Sequence, residues 1–80
     1  MIYRFRVDVR KKDEVFDPEA ETIKRALVNL GFDKVKELRI GRFFELSVEA
    51  ENEAKAKEMV DEIAKGVLVN PIIEEFETKI

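Results

Sequence analysis

The side chains able to do chemistry in this chain are carboxylates and guanidiniums, because cysteine and histidine are both absent. Their absence removes disulfides, thiolate nucleophiles, imidazole acid–base chemistry and nearly every zinc, copper or haem ligand. Among the 18 acidic residues no pair stands out as a general acid–base dyad, which needs a partly buried member with a raised pKa. One carboxylate is out of pattern: Glu74 shares a parity otherwise held by Ile72, Phe76 and Ile80. That position suits a strand entrance near solvent, or a partner for a cation at an interface. Arg39 and Arg42 flank Gly41, and an arginine beside a glycine turn can grip a partner's carboxylate or phosphate. The plainer reading of the three is a sheet-surface arginine and a turn. No catalytic, metal-ligating or cofactor-binding residue is expected.

The chain that must position these groups has 80 residues, 45% hydrophobic and 41% charged. One domain of this size, residues 1–80, buries only about 60% of the surface its unfolded form exposes, so its core is thin. The apolar content is too high for a disordered chain. No apolar run approaches the roughly 20 residues of a membrane span, and the start MIYRFRVDVR alternates where a signal peptide would be uniformly apolar. A cytosolic protein with no membrane partner is expected. The formal net charge of −3 with interspersed signs offers no field for phosphate backbones, so no nucleic-acid partner is expected. Abundant Lys, Arg and Glu without Gln point to a hot environment.

Tyr3, Phe5, Val7 and Val9 alternate with Arg4, Arg6, Asp8 and Arg10, the pattern of a strand with one wet face. Asp17 and Pro18 open a helix in which Ala20, Ile23, Ala26, Leu27 and Leu30 share one face, and Gly31 closes it. Leu38 and Ile40 read as a second strand, and Phe44, Leu46, Val48 and Ala50 as a third, joined in a hairpin at Gly41 and Arg42. A bulge at Phe43 and Phe44 or a three-residue loop is needed to keep Phe44 on the core face, and it sets Arg39 opposite Glu45. Asn52 caps a second helix carrying Ala56, Met59, Val60, Ile63 and Val67 on its buried face, with Gly66 at its fraying end. Asn70 and Pro71 break the chain before a last strand containing Ile72, Phe76 and Ile80.

The order β, α, β, β, α, β with right-handed crossovers predicts an α+β, two-layer sandwich: a four-stranded antiparallel sheet in the order 4-1-3-2 with both helices on one face. The order places arginines of strand one between glutamates of strands three and four, pairing opposite charges across both ladders. The fold hosts many functions, so the site must decide. GRFFELSV loosely resembles the third strand of RNA-recognition motifs, but those need aromatics on the open face where this chain shows arginines and glutamates. Acylphosphatases share the topology, but KKDEVFDP lacks their glycine-containing phosphate loop. The residues alone give a small α+β binding or assembly module.

The run DPEAETIKRALVNLGFDKVKELRIGRFFEL, with its LGF stop and RIGR turn, resembles the PurS subunit family of phosphoribosylformylglycinamidine synthase, as does the late segment VNPIIEEF. The resemblance covers essentially the whole chain, with Ala20 standing where many members have glycine. It implies a small, non-catalytic subunit of a purine-biosynthetic ligase, bridging a large synthetase subunit (PurL type) and a glutaminase subunit (PurQ type) and helping ammonia pass between them. It also implies a homodimer or higher oligomer. The ATP and magnesium belong to the synthetase subunit, so this chain needs no cofactor. The matched positions Arg39, Gly41, Arg42, Asn70, Pro71 and Glu74 are the expected assembly surface. The alternative is a stand-alone regulatory dimer of the ACT type, which shares the topology and binds small ligands between subunits.

Overall fold

The computed structural model describes residues 1–80. Its order is β1 (Ile2–Lys11), α1 (Pro18–Asn29), β2 (Gly41–Glu49), α2 (Glu53–Ile63), a π-helical turn (Ala64–Leu68) and β3 (Glu74–Lys79). The sheet has three antiparallel strands in the order β2-β1-β3.

The alternation of β1 decides where the core lies. Phe5, Val7 and Val9 are buried, and their ladder neighbours Leu46, Phe44 and Phe76 close the same face. Over this face lies α2, whose Asn52 side chain accepts from the Lys55 amide at 2.8 Å and so satisfies a free amide at the helix start. Its buried stripe is Ala56 and Val60, continued by Ala64 at the start of the π-helical turn, a four-residue spacing on one face. The two alanines let the helix lie close above the β1 valines. The π-helical turn, closed by the Val69 amide on the Ala64 carbonyl at 3.0 Å, widens the last turn and re-aims the chain on its way to β3. Val69 is thereby buried, while Val67, expected on the core face, is exposed.

The expected four-stranded sheet in the order 4-1-3-2, with two helices on one face, gives way to this three-stranded one. No strand forms at Leu38 and Ile40, and Gly41 begins β2 without any hairpin turn. Residues 34–40 form no ladder with β2, so the expected pairing of Arg39 with Glu45 and the bulge at Phe43 and Phe44 do not occur. The physical reason lies in the short apolar run of that segment: Lys36, Glu37 and Arg39 leave little to bury on a half-covered edge. Gly41 serves a close approach: a Cβ there would sit 2.7 Å from the Val9 carbonyl oxygen.

The mutual order of the three strands that do form is the expected one, with β1 central. Arg6 faces Glu45 and Arg10 faces Glu75 across the ladders. Asp8 faces Glu77, a like-charge pairing that the flanking cations offset: Asp8 accepts from Arg6 at 2.7 Å and from Lys79 at 3.0 Å.

The second helix expected on the sheet is displaced. Asp17 caps α1 by accepting from the Glu19 and Ala20 amides at 3.1 and 3.3 Å. Gly31, at φ 98°, ends it, with the Phe32 amide on the Leu27 carbonyl and the Gly31 amide on that of Val28, the paired bonds of a left-handed stop. Yet α1 makes no extensive packing contact with the sheet or with α2, only its first turn, at Ala20, being buried. It forms an arm, with Ile23, Val28 and Leu30 exposed and Phe16 and Phe32 beside them. The molecule is accordingly long, 52 × 23 × 14 Å, with a radius of gyration of 16.4 Å where a compact chain of this length would have about 12 Å.

Candidate assembly surface

Four of the six residues singled out from the sequence meet in one clasp. Glu74, at the entrance of β3, has a side chain only 10% exposed, and it needs a partner there. Arg42, one residue into β2, supplies it with a two-pronged ion pair: Nη1 donates to Oε2, and Nη2 to Oε1 at 3.0 Å. Arg42 Nη2 also donates to the Leu68 carbonyl at 2.9 Å. Glu74 Oε1 accepts from the Asn70 amide at 2.8 Å, and Asn70 Oδ1 accepts from the Ile72 amide at 3.1 Å. Pro71 sits at the exposed apex of the turn so formed. The arginine fork thus holds the start of β2, the end of the π-helical turn and the entrance of β3 in one unit. The Arg42 hydrogen bonds, with the Asn70 amide, hold the Glu74 carboxyl down to about 2, well below its ordinary value. Glu74 is therefore a strand-entrance residue that pairs with a cation of its own chain.

Arg39 and Gly41 stand apart from this clasp. Arg39 ties the connector before β2 to the far side of β1: its guanidinium donates to the Lys11 carbonyl at 2.7 Å and pairs with Asp13 at 2.9 Å and Glu75 at 3.5 Å. Hydrogen bonds from Arg10 first and Arg39 second lower the Glu75 pKa. Asp13 carries no signal in the sequence, and Glu75 reads there only as a strand-four partner for the β1 arginines, because no local pattern joins either to Arg39. Phe43, beside Arg42, lies on the outer face with the Arg6 guanidinium 4.0 Å from its ring centre, an attraction of cation and aromatic face.

The arm is the other surface without a partner in the chain. Of the apolar face expected from Ala20, Ile23, Ala26, Leu27 and Leu30, Ala20 is buried and Leu27 half-buried, while Ile23, Ala26 and Leu30 stay exposed. The total accessible surface is 6172 Å², against about 5,000 Å² for a compact monomer of this mass.

No helix is long and apolar enough to cross a membrane.

Comparison with known proteins places this arrangement. The PurS family model, described as phosphoribosylformylglycinamidine (FGAM) synthase, matches residues 4–80. The PurS subunit of phosphoribosylformylglycinamidine synthase from Methanocaldococcus jannaschii is 42% identical over 79 residues, covering 99% of this chain and 95% of that one. The corresponding subunit from Thermotoga maritima is 42% identical over 78 residues, covering 98% and 95%. Among solved structures, a chain of PurLQS from Thermotoga maritima superposes with a TM-score of 0.91 over 99% of this chain and 96% of that one, at 42% identity. The open shape, arm included, is thus shared by a solved relative within its complex, and the chain belongs to the PurS family of phosphoribosylformylglycinamidine synthase.

Proposed function

We propose that this protein is the small, non-catalytic subunit of an ATP-dependent carbon–nitrogen ligase. The assembled enzyme converts formylglycinamide ribonucleotide, ATP and glutamine to formylglycinamidine ribonucleotide, ADP, phosphate and glutamate. In this reading the chain bridges a synthetase and a glutaminase subunit and helps ammonia pass between them without loss. ATP and magnesium are used by the synthetase, and this chain holds neither. The observation that carries the reading is the open, elongated fold with an uncovered apolar arm, close in shape to the chain in PurLQS. A subunit shaped to touch more than one neighbour leaves such surface for them. The clasp at Arg42, Asn70 and Glu74 fits the same role: it stiffens the turn around Pro71, and a rigid turn loses little entropy on docking.

The test is reconstitution. Synthetase and glutaminase subunits are assayed with glutamine or with ammonium, with and without this chain. Glutamine-dependent synthesis should require the chain, while ammonium-dependent synthesis should depend on it far less. Glutamine-dependent synthesis that is equally fast without it would overturn the reading.

A further inference from the structure

A cleft of about 550 Å³ opens on the outer face of the sheet, between the end of the connector at Arg39 and Ile40 with the start of β2 on one side and β3 on the other. It lies in the size range of small-molecule sites. Five cationic and three acidic side chains line it, although the whole chain carries a net charge of −3. The cations there differ in what they have left to give. Arg42 is committed to Glu74 and Leu68 through both terminal nitrogens, and Arg39 to Asp13, Lys11 and Glu75. Arg6 and Arg10 are bound only through Nε, to Asp8 at 2.7 Å and to Glu75 at 3.2 Å. Their terminal nitrogens donate to no acceptor in the chain, and the Arg6 guanidinium rests on the Phe43 ring. Each of those two carboxylates is also shared, Asp8 with Lys79 and Glu75 with Arg39, so neither cancels its arginine. Glu45, opposite Arg6 in the ladder, makes no ion pair with it.

The same contacts orient the two guanidiniums. Held by one edge, each presents its free fork without first losing rotamer freedom, and a guanidinium fork matches a phosphate's oxygens two at a time. Arg6 and Arg10 are four apart on one strand and so face the same side. Phe43, half-exposed with Arg6 against its ring, forms an apolar wall of the cleft.

We propose that this cleft binds a small phosphate ester, its phosphate on the free forks of Arg6 and Arg10 and its organic part beside Phe43. Arg42 of the clasp lines one side of the cleft, but the proposed ligand groups Arg6 and Arg10 belong to neither the clasp nor the arm, so their replacement tests this site apart from the assembly role.

Binding of adenosine monophosphate and of inorganic phosphate to the full chain is measured by calorimetry at low ionic strength, with amide chemical shifts followed in parallel. Adenosine monophosphate should bind saturably and about tenfold more tightly than phosphate, with shifts confined to residues 6–10, 39–43 and 75–79. R6A/R10A should abolish binding of both, and both replaced side chains are half-exposed, so the fold should survive; an unchanged melting temperature checks this. F43A should remove the advantage of adenosine monophosphate alone, and K55A on the opposite layer should change nothing. Three results would overturn the proposal: no saturable binding at millimolar ligand, binding that survives R6A/R10A, or binding of a polyglutamate peptide where neither phosphate compound binds, which would make the face a protein-docking surface.

Discussion

Removing the Arg42 guanidinium would leave the Glu74 carboxylate nearly buried with only the Asn70 amide to answer it, and stranding such a group costs about 2 kcal/mol. R42A should therefore lower the melting temperature by roughly 8–16 °C for a domain this small, where R39A, whose acidic partners Asp13 and Glu75 are far more exposed than Glu74, should shift it less. Thermal unfolding followed by circular dichroism decides between the two. The depressed Glu74 pKa, about 2 in the fold against an ordinary 4.5, fixes the sign of a second effect. A carboxyl whose folded pKa is lowered adds stability above its ordinary pKa and loses it as pH falls toward the folded one. The stability gap between wild type and E74Q should be full at neutral pH, close between about pH 4.5 and 2, and show no further change above pH 6; urea titrations across that range measure it. Gly41 makes a third case at this scale. An added methyl would meet the Val9 carbonyl oxygen at 2.7 Å, and because both sides are backbone, G41A should destabilise by about 1–3 kcal/mol, read in the same melts.

At the scale of elements, legibility in the sequence depends on how local the deciding physics is. The alternation in β1, the caps at Asp17 and Asn52 and the stop at Gly31 are each settled within a few residues, and each stands in the structure as read. Asn52 illustrates the energetics: N52A removes the acceptor of the Lys55 amide and should cost about 1 kcal/mol, a fall of several degrees in melting temperature. The segment at Leu38 and Ile40 misleads because its alternation is genuine but too short, and whether it pairs depends on an edge elsewhere in the chain. A period of 3.6 residues puts Val67 on the core face, and the wider turn at Ala64–Leu68 breaks that period. The clasp is half legible. Arg42, Asn70 and Glu74 each stand out separately, but nothing local shows that Arg42 joins the other two, since its pair with Glu74 spans 32 positions. Arg39 is legible as an ion-pairing residue and illegible in its choice of Asp13 and Glu75 over Glu45, because that choice comes from the missing strand.

The whole molecule raises the question of what covers the arm. A caps-and-stop helix such as α1 is well specified locally, yet an isolated helix of 12 residues is marginal in water without a surface to bury its apolar face. Only Ala20 of that face is buried within the chain, while Ile23 and Leu30, with Phe16 before the helix, stay exposed, Phe16 at 72% and Leu30 at 73%. The accessible surface exceeds that of a compact monomer by roughly 1,200 Å². Two chains covering that excess mutually would bury roughly 2,400 Å², within the range of obligate homodimers. We therefore expect the free protein to be at least a dimer, with the arm inside the contact. Sedimentation equilibrium should give twice the 9.3 kDa chain mass or more at micromolar concentration, and the melting temperature should rise with protein concentration, because association stabilises only the folded chain. Replacing Ile23 and Leu30 together with serine removes apolar contact area without touching the β1–α2 core. The variant should sediment as a lighter species and lose the concentration dependence of its melt while keeping the sheet signal. Wild-type protein that stays a single monomer at tens of micromolar, with a melt independent of concentration, would show that the arm waits for a different subunit.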